Sequence, residues 1–383
     1  MGCLENGGGE RSLINLLNLF DYEKYDIDLV LFKERGLFFD QLPKNVKLID
    51  NLDVLHFMYN DALKNSFNIK HPYLSFMHIY GTIKSKIVTK SGYQKGQYRW
   101  KKFYNKVIPE LKKEYDIAIS YLEGENMYYL VDKVKSKKKI AWIHTQYSKL
   151  DSNVDFDLKY FKIVDSIVTI SDECKKVLID NFPSQKEKIY VLPNLTDSNM
   201  ICSLSEKYYP KEFNINTFNF VSIGRLVHLK GFDLAIEAAK ILKDKGLKFT
   251  WFVLGSGVLY EKLQNSIIEN KLEDFFKLIG SRENPYPYIK NADIIIQPSR
   301  YEGKSMVLDE SKILCKPIVV TNYDTVHDQI NDNEGIIVGF EPKEIAEGIE
   351  KMLNEKEKYI KFLNKNEYGN QNDIKLYYEI FEK

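Results

Sequence analysis

Short apolar runs alternate with helical patterns along almost the whole chain, and this alternation limits the possible folds more than any other feature. The runs have the length and composition of buried strands. Alternating strands and helices are typical of parallel sheets covered by helices on both faces. We therefore expect an α/β fold with mostly parallel sheets. The expected strands are 27–32, 116–121, 139–144, 166–170, 188–192, 219–223, 249–254, 293–296, 317–320 and 335–338.

The chain has 383 residues, which is too long for one ordinary domain. Residues 193–217 are rich in Ser, Asn, Asp and Pro and show no periodicity, so they are the best linker. We expect one doubly wound domain over 1–195, a second over 196–365, and a helical tail over 366–383. Packing of this tail on the first domain is one arrangement that we consider.

Composition excludes several classes of protein. Lys and Arg number 55 against 54 Asp and Glu, so the basic excess of a nucleic-acid binder is missing. The four cysteines and six histidines show no C-x-x-C or H-x-x-x-H spacing, and we expect no metal site. The chain shows no apolar run near the ~20 residues of a membrane helix and no signal-peptide pattern at its start. A cytoplasmic location is therefore expected.

A glycine loop, Gly7-Gly8-Gly9, lies almost at the start of the chain and precedes a helical pattern. Such loops normally follow a buried strand. The six residues that precede it are too few for a full strand and turn. We expect either that the natural chain starts upstream or that the first sheet is weakened.

The segment from Ser299 to Glu310 carries the strongest chemical signal. Gly303 permits a tight turn, and Ser305 suits the N-cap of the following helix. Free N–H groups of the helix start, at 306 and 307, can bind a phosphate. Glu302 and Glu310 flank this helix start, although two acids eight residues apart can also be ordinary surface acids.

A second segment, Gly224 to Phe232, also follows an expected strand and opens a helix. Arg225 offers a planar fork for phosphate oxygens and Lys230 a point charge. A departing diphosphate needs such cations because negative charge develops on it. The alternative is a basic loop without a ligand.

Together these segments resemble the retaining family 4 glycosyltransferases, which have the GT-B fold. The E-x7-E motif of that family matches Glu302 and Glu310, and its G-R-x-x-x-x-K-G motif matches 224–231. The loop at 7–9 resembles the glycine loop of the family, and His144 resembles its strand-end histidine. The resemblance implies two Rossmann-like domains facing across a cleft, the first on the acceptor side and the second binding a nucleotide sugar.

The resemblance also implies residue roles. Arg225 and Lys230 would hold the donor diphosphate, and Glu302 would contact the transferred sugar. His144 would donate to or accept from the donor sugar, and Glu310 would bind the ribose hydroxyls. The remaining donor contacts implied are Gly8, Gly9, Arg282, Gly303, Ser305, Met306 and Val307.

The implied activity is that of a retaining hexosyl- or glycosyltransferase that uses a nucleotide-diphosphate sugar, with a UDP-sugar favoured. Neither a cofactor nor a metal is required. The acceptor is a glycan or a lipid-linked molecule of surface polysaccharide or glycolipid synthesis. Two alternatives stay open: a catalytically weak homologue that serves as partner or scaffold of another glycosyltransferase, and a GT-B nucleotide-sugar epimerase. A nicotinamide dehydrogenase is disfavoured because Tyr260 stands where the third glycine after Gly255-x-Gly257 is needed.

Residues 84–113 hold ten basic residues against one acid, Glu110, with five aromatic residues among them. One interpretation is a solvated, lysine-rich helix without a partner. The other is a surface for anionic lipid or an anionic acceptor, because basic residues near charged headgroups contribute about 1 kcal/mol each to binding. Nucleic acid is a third option, which the overall charge balance disfavours. A peripheral position at the inner membrane face is thus expected as an alternative to a freely cytoplasmic one.

Overall fold

The computed structural model describes residues 1–5, 7–59 and 71–383. These residues form two compact units, and each contains parallel β-sheet with helices. Unit 1 comprises residues 1–5, 16–193 and 375–383, and unit 2 comprises residues 7–15 and 194–374. In the described part of the chain every strand pair is parallel, so the expected α/β fold is confirmed.

Unit 1 contains a two-stranded sheet, β1-β2, and a four-stranded sheet in the order β3-β4-β5-β6. The strands are β1 (Asp28–Leu29), β2 (Lys47–Leu48), β3 (Glu114–Ser120), β4 (Lys135–Ile143), β5 (Ser166–Thr169) and β6 (Ile189–Val191). The helices up to this point are α1 (Gly8–Leu19), α2 (Asp53–Tyr59), α3 (Pro72–Val88), α4 (Gly92–Arg99), α5 (Asn105–Val107), α6 (Glu125–Lys133), α7 (Val154–Phe161) and α8 (Asp172–Asn181).

Unit 2 is a six-stranded sheet in the order β12-β11-β10-β7-β8-β9, which grows outward in both directions from β7. The strands are β7 (Phe218–Ile223), β8 (Phe249–Leu254), β9 (Phe276–Leu278), β10 (Ile294–Gln297), β11 (Ile318–Thr321) and β12 (Ile336–Val338). The helices of this unit are α9 (Ser198–Ser205), α10 (Phe232–Asp244), α11 (Tyr260–Glu269), α12 (Tyr286–Asn291), α13 (Met306–Ile313) and α14 (Pro342–Leu363). The last helix, α15 (Ile374–Glu382), belongs to unit 1 from residue 375 onward. This doubly wound order places the carboxyl ends of all six strands at one edge, where ligands of such sheets bind.

The tail helix α15 packs on the four-stranded sheet of unit 1. The ring of Tyr377 stacks on Trp142 of β4 with a centroid distance of 5.6 Å. Lys138 Nζ donates to the carbonyl of Ile380 at 2.6 Å. Through these contacts α15 covers apolar side chains of β4.

Three expectations about secondary structure are wrong in part. The strand expected over 27–32 is limited to Asp28–Leu29, because the next backbone groups bond to the first residues of the chain instead of extending the ladder. The expected linker contains helix α9, whose Asp197 side chain accepts from Met200 N–H at 3.1 Å. Helix α1 begins at Gly8, so Gly8 and its neighbour lie in a helical turn.

The first residues of the chain contain no strand within 1–5, and Asn6 lies outside the described residues. Phe32 N–H donates to Met1 O and Lys33 N–H to Gly2 O, both at 2.9 Å. These bonds satisfy backbone groups that follow β1. The strands of unit 1 lie in two separate sheets. The expectation that the natural chain starts upstream stays a prediction.

The basic segment 84–113 forms the end of α3, all of α4 and α5, and a π-helical turn between them. Trp100 and Tyr104 are buried, so these two of the five aromatic residues of the segment do not form part of a surface for lipid or an acceptor. Trp100 Nε1 donates to Asp132 at 2.7 Å, so its polar edge is satisfied inside the protein. No helix in the described ranges is long and apolar enough to cross a bilayer.

Candidate functional site

The loop after β7 is fixed against the end of β10 by a glycine. Gly231 has a left-handed backbone with φ of 66°, and a Cβ at this position would lie 1.9 Å from the carbonyl oxygen of Pro298. A residue with a side chain would therefore be strained and would clash. This close approach brings Lys230, the residue before the glycine, next to the segment that follows β10.

Lys230 and Glu302, one from each of the two sequence motifs, form an ion pair. The distance from Lys230 Nζ to Glu302 Oε1 is 2.5 Å, and the side chains are 20% and 11% exposed. The same oxygen accepts from Gln297 Nε2 at 2.8 Å and from Ser299 Oγ at 2.7 Å. Three donors to one oxygen hold the Glu302 carboxylate in a single orientation, and two N–H groups of Lys230 stay available for an anion.

Arg225 lies in the same loop as Lys230, and its side chain is exposed. Two glycines after β8 lie beside this loop: a Cβ on Gly255 would lie 1.8 Å from the carbonyl oxygen of Gly224, and one on Gly257 would lie 2.5 Å from that of Leu226. The backbone around Arg225 is thus tightly packed while its guanidinium faces solvent. An exposed guanidinium on a fixed loop at the carboxyl edge of the sheet can bind a phosphate.

Arg300 anchors this loop, and the sequence did not predict its role. Its guanidinium forms a bidentate pair with Asp233 at 2.7 Å for both nitrogens, and Nη1 also donates to His228 O at 3.0 Å. Its backbone N–H donates to Leu229 O at 2.8 Å. The rarity of arginine in this lysine-rich chain was the one available signal for such a role.

Glu310 is buried on α13, with 3% of the residue exposed. Tyr286 Oη donates to its Oε1 at 3.2 Å. Burial raises the pKa of Glu310 to about 7, although the nearby charge of Arg11 and the hydrogen bond from Tyr286 act in the opposite direction. Arg11 lies 5.5 Å from the centre of the Tyr286 ring and donates to Glu283 O at 3.2 Å.

The two carboxylates of the E-x7-E motif therefore have different partners. Glu302 is paired with Lys230, and Glu310 lies with Tyr286 and Arg11. Neither Tyr286 nor Arg11 was predicted to lie at the site, because both are distant from Glu310 in the sequence. Arg11 belongs to the first half of α1, which is part of unit 2.

The start of α13 differs from the expectation in its capping. Ser305 occupies the N-cap position, but its side chain makes no capping hydrogen bond. Its backbone is bound by Gln329 instead: Ser305 N–H donates to Gln329 Oε1 at 2.7 Å, and Gln329 Nε2 donates to Ser305 O at 2.9 Å. Met306 and Val307 are the first two helical residues, and Gly303 lies in the preceding loop. First-turn N–H groups have no partner within a helix, so they can bind an anion.

Arg282 is engaged with protein groups on all sides of its guanidinium. Its nitrogens donate to Tyr288 Oη at 3.1 Å, to Glu212 Oε1 at 3.2 Å and to Ile279 O at 2.5 Å. A donor-binding role for Arg282 stays a prediction.

In unit 1, His144 follows β4, and its Nε2 is buried without a hydrogen-bond partner. Burial lowers the pKa of His144 to about 3, so the imidazole is neutral near pH 7. Its backbone N–H donates to Glu123 Oε2 at 3.0 Å. A neutral imidazole with a free nitrogen can bond to a hydroxyl group of a ligand.

Gly8 and Gly9 form the first turn of α1, and a Cβ on Gly8 would meet no atom within 4 Å. The open space beside Gly8 is compatible with a ligand that approaches the first turn of this helix. No group of three or more His, Cys, Asp or Glu side chains suited to a metal ion occurs in the portion of the chain that is described.

Comparison with known families finds a match in the C-terminal part of the chain. Residues 208–368 match the family model described as glycosyl transferases group 1. This range contains both motifs and the Lys230–Glu302 pair. The finer assignment to family 4 stays a prediction.

Curated relatives agree with this family. An uncharacterised glycosyltransferase of Methanocaldococcus jannaschii is 28% identical over 241 residues, which cover 57% of this chain and 58% of the relative. The capsular polysaccharide biosynthesis glycosyltransferase CapM of Staphylococcus aureus is 31% identical over 205 residues, 49% of this chain and 52% of the relative. The chain is thus similar to glycosyltransferases, and it spans less than two thirds of the length of these two relatives.

Solved structures share the fold over nearly the whole chain. A glycosyltransferase from Rickettsia africae aligns with 99% of this chain and 96% of its own, with a TM-score of 0.68 and 17% identity. Anabaena HepE in complex with UDP-glucose aligns with 100% of this chain and 94% of its own, with a TM-score of 0.67 and 14% identity. The GT-B fold expected from the sequence is therefore confirmed.

Proposed function

We propose that this protein is a retaining glycosyltransferase that moves a sugar from a nucleotide-diphosphate donor, a UDP-sugar, to a glycan or lipid-linked acceptor. The observation that carries the proposal is the Lys230–Glu302 ion pair, whose lysine lies in the same loop as the exposed Arg225. Both cations lie in the loop after β7, at the carboxyl edge of the sheet. Homology to CapM supports a role in surface polysaccharide or glycolipid synthesis, and HepE, which shares the fold, was solved with UDP-glucose.

In this proposal Arg225 and Lys230 bind the donor diphosphate. The bond from the anomeric carbon to the phosphate oxygen breaks, and the acceptor oxygen bonds to the same face of that carbon. The acceptor proton passes to the departing phosphate oxygen, so the products are the glycosylated acceptor and UDP. The two cations stabilise the negative charge that develops on the diphosphate, and the chemistry uses no metal or cofactor.

The carboxylates and the histidine have separate parts in the proposal. Glu302, held by its three donors, contacts the transferred sugar, where a fixed negative charge stabilises an oxocarbenium-like state. Glu310 accepts hydrogen bonds from the ribose hydroxyls. Neutral His144 bonds to a hydroxyl of the donor sugar. Contacts from the glycines, from Arg282 and from the α13 start complete the proposed donor site.

Turnover with a panel of nucleotide sugars tests the proposal. We expect Arg225→Ala and Lys230→Ala each to lower turnover at least about a hundredfold, because each removes charge from the leaving group. Circular dichroism checks that the variants fold, and Lys240→Ala, an exposed lysine on α10, is the matched control. Wild-type turnover in both variants would refute the diphosphate assignment. The anomeric configuration of the product, read by NMR, tests retention.

The same panel separates the alternatives. A catalytically weak homologue would bind UDP without turning over any donor and would raise the activity of another glycosyltransferase. An epimerase would convert the sugar of the nucleotide sugar without an added acceptor. Neither alternative needs Glu302 to contact a sugar that is transferred to an acceptor, so we rank both below transfer.

We also propose that unit 1 contacts an anionic membrane surface at the inner face, through residues 84–113 and the adjoining part of α3. An exposed apolar stripe follows the helical spacing of α3 and runs into the basic segment. Its members are Tyr73 (61% exposed), Phe76 (57%), Tyr80 (40%), Ile83 (51%) and Ile87 (73%). Lysines 84, 86 and 90 lie in the same stretch and complement anionic headgroups.

Flotation with vesicles containing phosphatidylglycerol tests this contact. We expect the wild type to float with anionic vesicles and not with neutral ones. The double variant Ile83→Glu/Ile87→Glu should lose flotation, because it places two acids in the stripe. The control Ile163→Glu/Ile268→Glu changes two other exposed isoleucines, which are 55% and 51% exposed, and should float. Failure of the wild type to float, or loss of flotation in the control as well, would contradict the proposal.

A further inference from the structure

Unit 1 contains a cavity of about 420 Å³ that none of the roles above uses. Phe32 and Lys33, which follow β1, and residues 122–126, which follow β3, form one side of it, and α4 forms another. The cavity therefore lies where β1 of the two-stranded sheet and β3 of the four-stranded sheet end. Carboxyl ends of strands are the usual ligand-binding edge of such sheets, and the volume falls within the roughly 300–1,000 Å³ of ligand clefts.

Four lining residues carry buried polar atoms without a hydrogen-bond partner. They are Tyr59 Oη, Tyr93 Oη, Glu125 Oε1 and Asn126 Oδ1, although Glu125 lies close enough to Tyr59, and Asp157 to Tyr93, for its charge to add to the burial that raises the pKa of these tyrosines. Burial raises the pKa of both tyrosines, so each hydroxyl is a donor at every physiological pH. Each unsatisfied buried polar group costs about 1–3 kcal/mol. Four such groups around one cavity indicate a ligand that both donates and accepts hydrogen bonds.

The other lining groups narrow the chemistry of this ligand. Phe32, Tyr59 and Tyr128 present aromatic rings, and the rings of Phe32 and Tyr59 are 4.5 Å apart. The carboxylates of Glu123 and Glu125 and the ammonium group of Lys33 also line the cavity, and Arg99 pairs with Glu125 at 3.2 Å. The charges of the lining are therefore balanced, and a charged ligand would be buried without a counter-charge of its own. Ring faces together with hydroxyl-binding polar atoms suit a sugar ring, whose C–H groups pack on aromatic rings while its hydroxyls bond at the edge.

One lining group also connects the cavity to the proposed donor site. Glu123 Oε2 accepts the backbone N–H of His144 at 3.0 Å. This hydrogen bond therefore fixes the loop after β3 relative to the end of β4 that carries His144, within unit 1.

We propose that this cavity binds an uncharged, polyhydroxylated ligand, namely a neutral sugar ring of the acceptor. This inference rests on the proposed transferase function, because only a transferase would make the bound sugar an acceptor. It adds which residues bind the acceptor and that the bound sugar ring is uncharged. Tyr59 and Tyr93 donate to ring or hydroxyl oxygens. Glu125 and Asn126 accept from hydroxyl groups.

Saturation-transfer NMR titration tests the proposal with the full chain and without nucleotide. The probes are neutral methyl glycosides of glucose, galactose, rhamnose and N-acetylglucosamine, compared with glucose 1-phosphate and methyl glucuronide. We expect at least one neutral glycoside to bind and the charged probes to bind at least tenfold more weakly. Tyr59→Phe and Tyr93→Phe should each weaken the neutral glycoside about tenfold, since each removes one hydrogen bond.

A purely structural role for the two hydroxyls predicts a different result. Removing an unpartnered hydroxyl should leave the melting temperature unchanged or raise it, whereas loss of a structural bond would lower it. Tyr98→Phe, in the same helix α4 but outside the cavity, is the control and should bind like the wild type.

The cavity assignment is overturned if no neutral glycoside binds while UDP does, if the two variants bind unchanged, or if the charged probes bind more tightly. UDP binding, measured by thermal shift in the same samples, reports on unit 2. If the wild type did not bind UDP, the transferase proposal would be contradicted. The saccharide titration would still decide whether the cavity binds a sugar.

Discussion

Replacing Glu310 by Gln should stabilise the unliganded protein increasingly as the pH rises. Glu310 is buried, and its pKa in the folded chain is about 7 against an ordinary value of 4.5. The folded state therefore binds a proton that the unfolded state has already released between these two values. The stability linked to this proton is fully present below pH 4.5 and is lost as the pH rises through about 7. Glutamine keeps the shape of the side chain and has no charge to desolvate.

The size of the effect follows from the same two values. A difference of about 2.5 pKa units, at about 1.36 kcal/mol each, amounts to about 3 kcal/mol in total. Between pH 5.5 and 8.5 the wild type should lose about 2 kcal/mol of this amount. The free energy of unfolding of Glu310→Gln minus that of the wild type should therefore increase by about 2 kcal/mol over this range. Other titrating groups cancel in the difference.

Urea unfolding followed by fluorine NMR on 5-fluorotryptophan gives the measurement. Trp251 lies in β8, and its resonance reports on unit 2 separately from the other two tryptophans. The exposed Glu237→Gln on α10 controls for the loss of one negative surface charge. Arg11→Met should raise the pKa of Glu310 further, because the charge of Arg11 acts to lower it.

A flat difference between pH 5.5 and 8.5, or one that decreases, would refute this reasoning. A flat and destabilising difference would mean that Arg11 and Tyr286 outweigh the cost of burial and keep Glu310 ionised throughout. A carbon-13 titration of the Glu310 carboxyl group would then place its pKa below the ordinary value.

Two further predictions concern the loop after β7. Gly231→Ala should destabilise unit 2 by at least about 1–2 kcal/mol and weaken UDP binding, because its Cβ would meet the carbonyl of Pro298. Gly246 has a similar backbone (φ of 81°) but open space where a Cβ would lie, so Gly246→Ala should lower the melting temperature less. Asp233→Asn should cost about 1 kcal/mol or less near pH 7, since Asp233 is partly exposed, yet lower kcat/KM by releasing Arg300. Burial acts to raise the pKa of Asp233, but Arg300 outweighs burial and lowers this pKa. The stabilisation by the Asp233–Arg300 pair is therefore present above pH 3.8 and is lost as the pH falls. If Asp233→Asn and the wild type unfolded equally in acid, the assignment of this pair would be contradicted.

The strands of unit 2 were predictable because most are buried on both faces. Strand β8 coincides with the expected 249–254, and all six of its residues are buried, so its sequence is a continuous apolar run. Strand β9 (Phe276–Leu278) was not expected, since three residues around an exposed Lys277 at the edge of the sheet give no periodic signal. Helix α9 was missed for a similar reason, because its eight residues lie in a polar stretch.

The motif residues of the site were predictable, but their partners were not. Lys230 and Glu302 belong to two local patterns, and each pattern is legible without knowledge of the fold. The partners of Arg300 and Glu310 are set by tertiary structure: Asp233 is 67 residues from Arg300, and Tyr286 is 24 residues from Glu310. Sequence spacing predicts which loops carry reactive side chains. The burial and the pKa of those side chains depend on contacts that form only when the chain has folded.

The membership of residues 7–15 in unit 2 has a consequence for the order of events on the ribosome. Arg11 bonds to Glu283, 272 residues later in the chain. At about 5–20 residues per second this partner is synthesised on the order of 14–54 s after Arg11. Unit 2 extends to residue 374, so it cannot complete its fold until nearly the whole chain has been made, and its first residues must wait for their partners. Synonymous changes that slow translation between these positions should lengthen that wait without altering the finished protein.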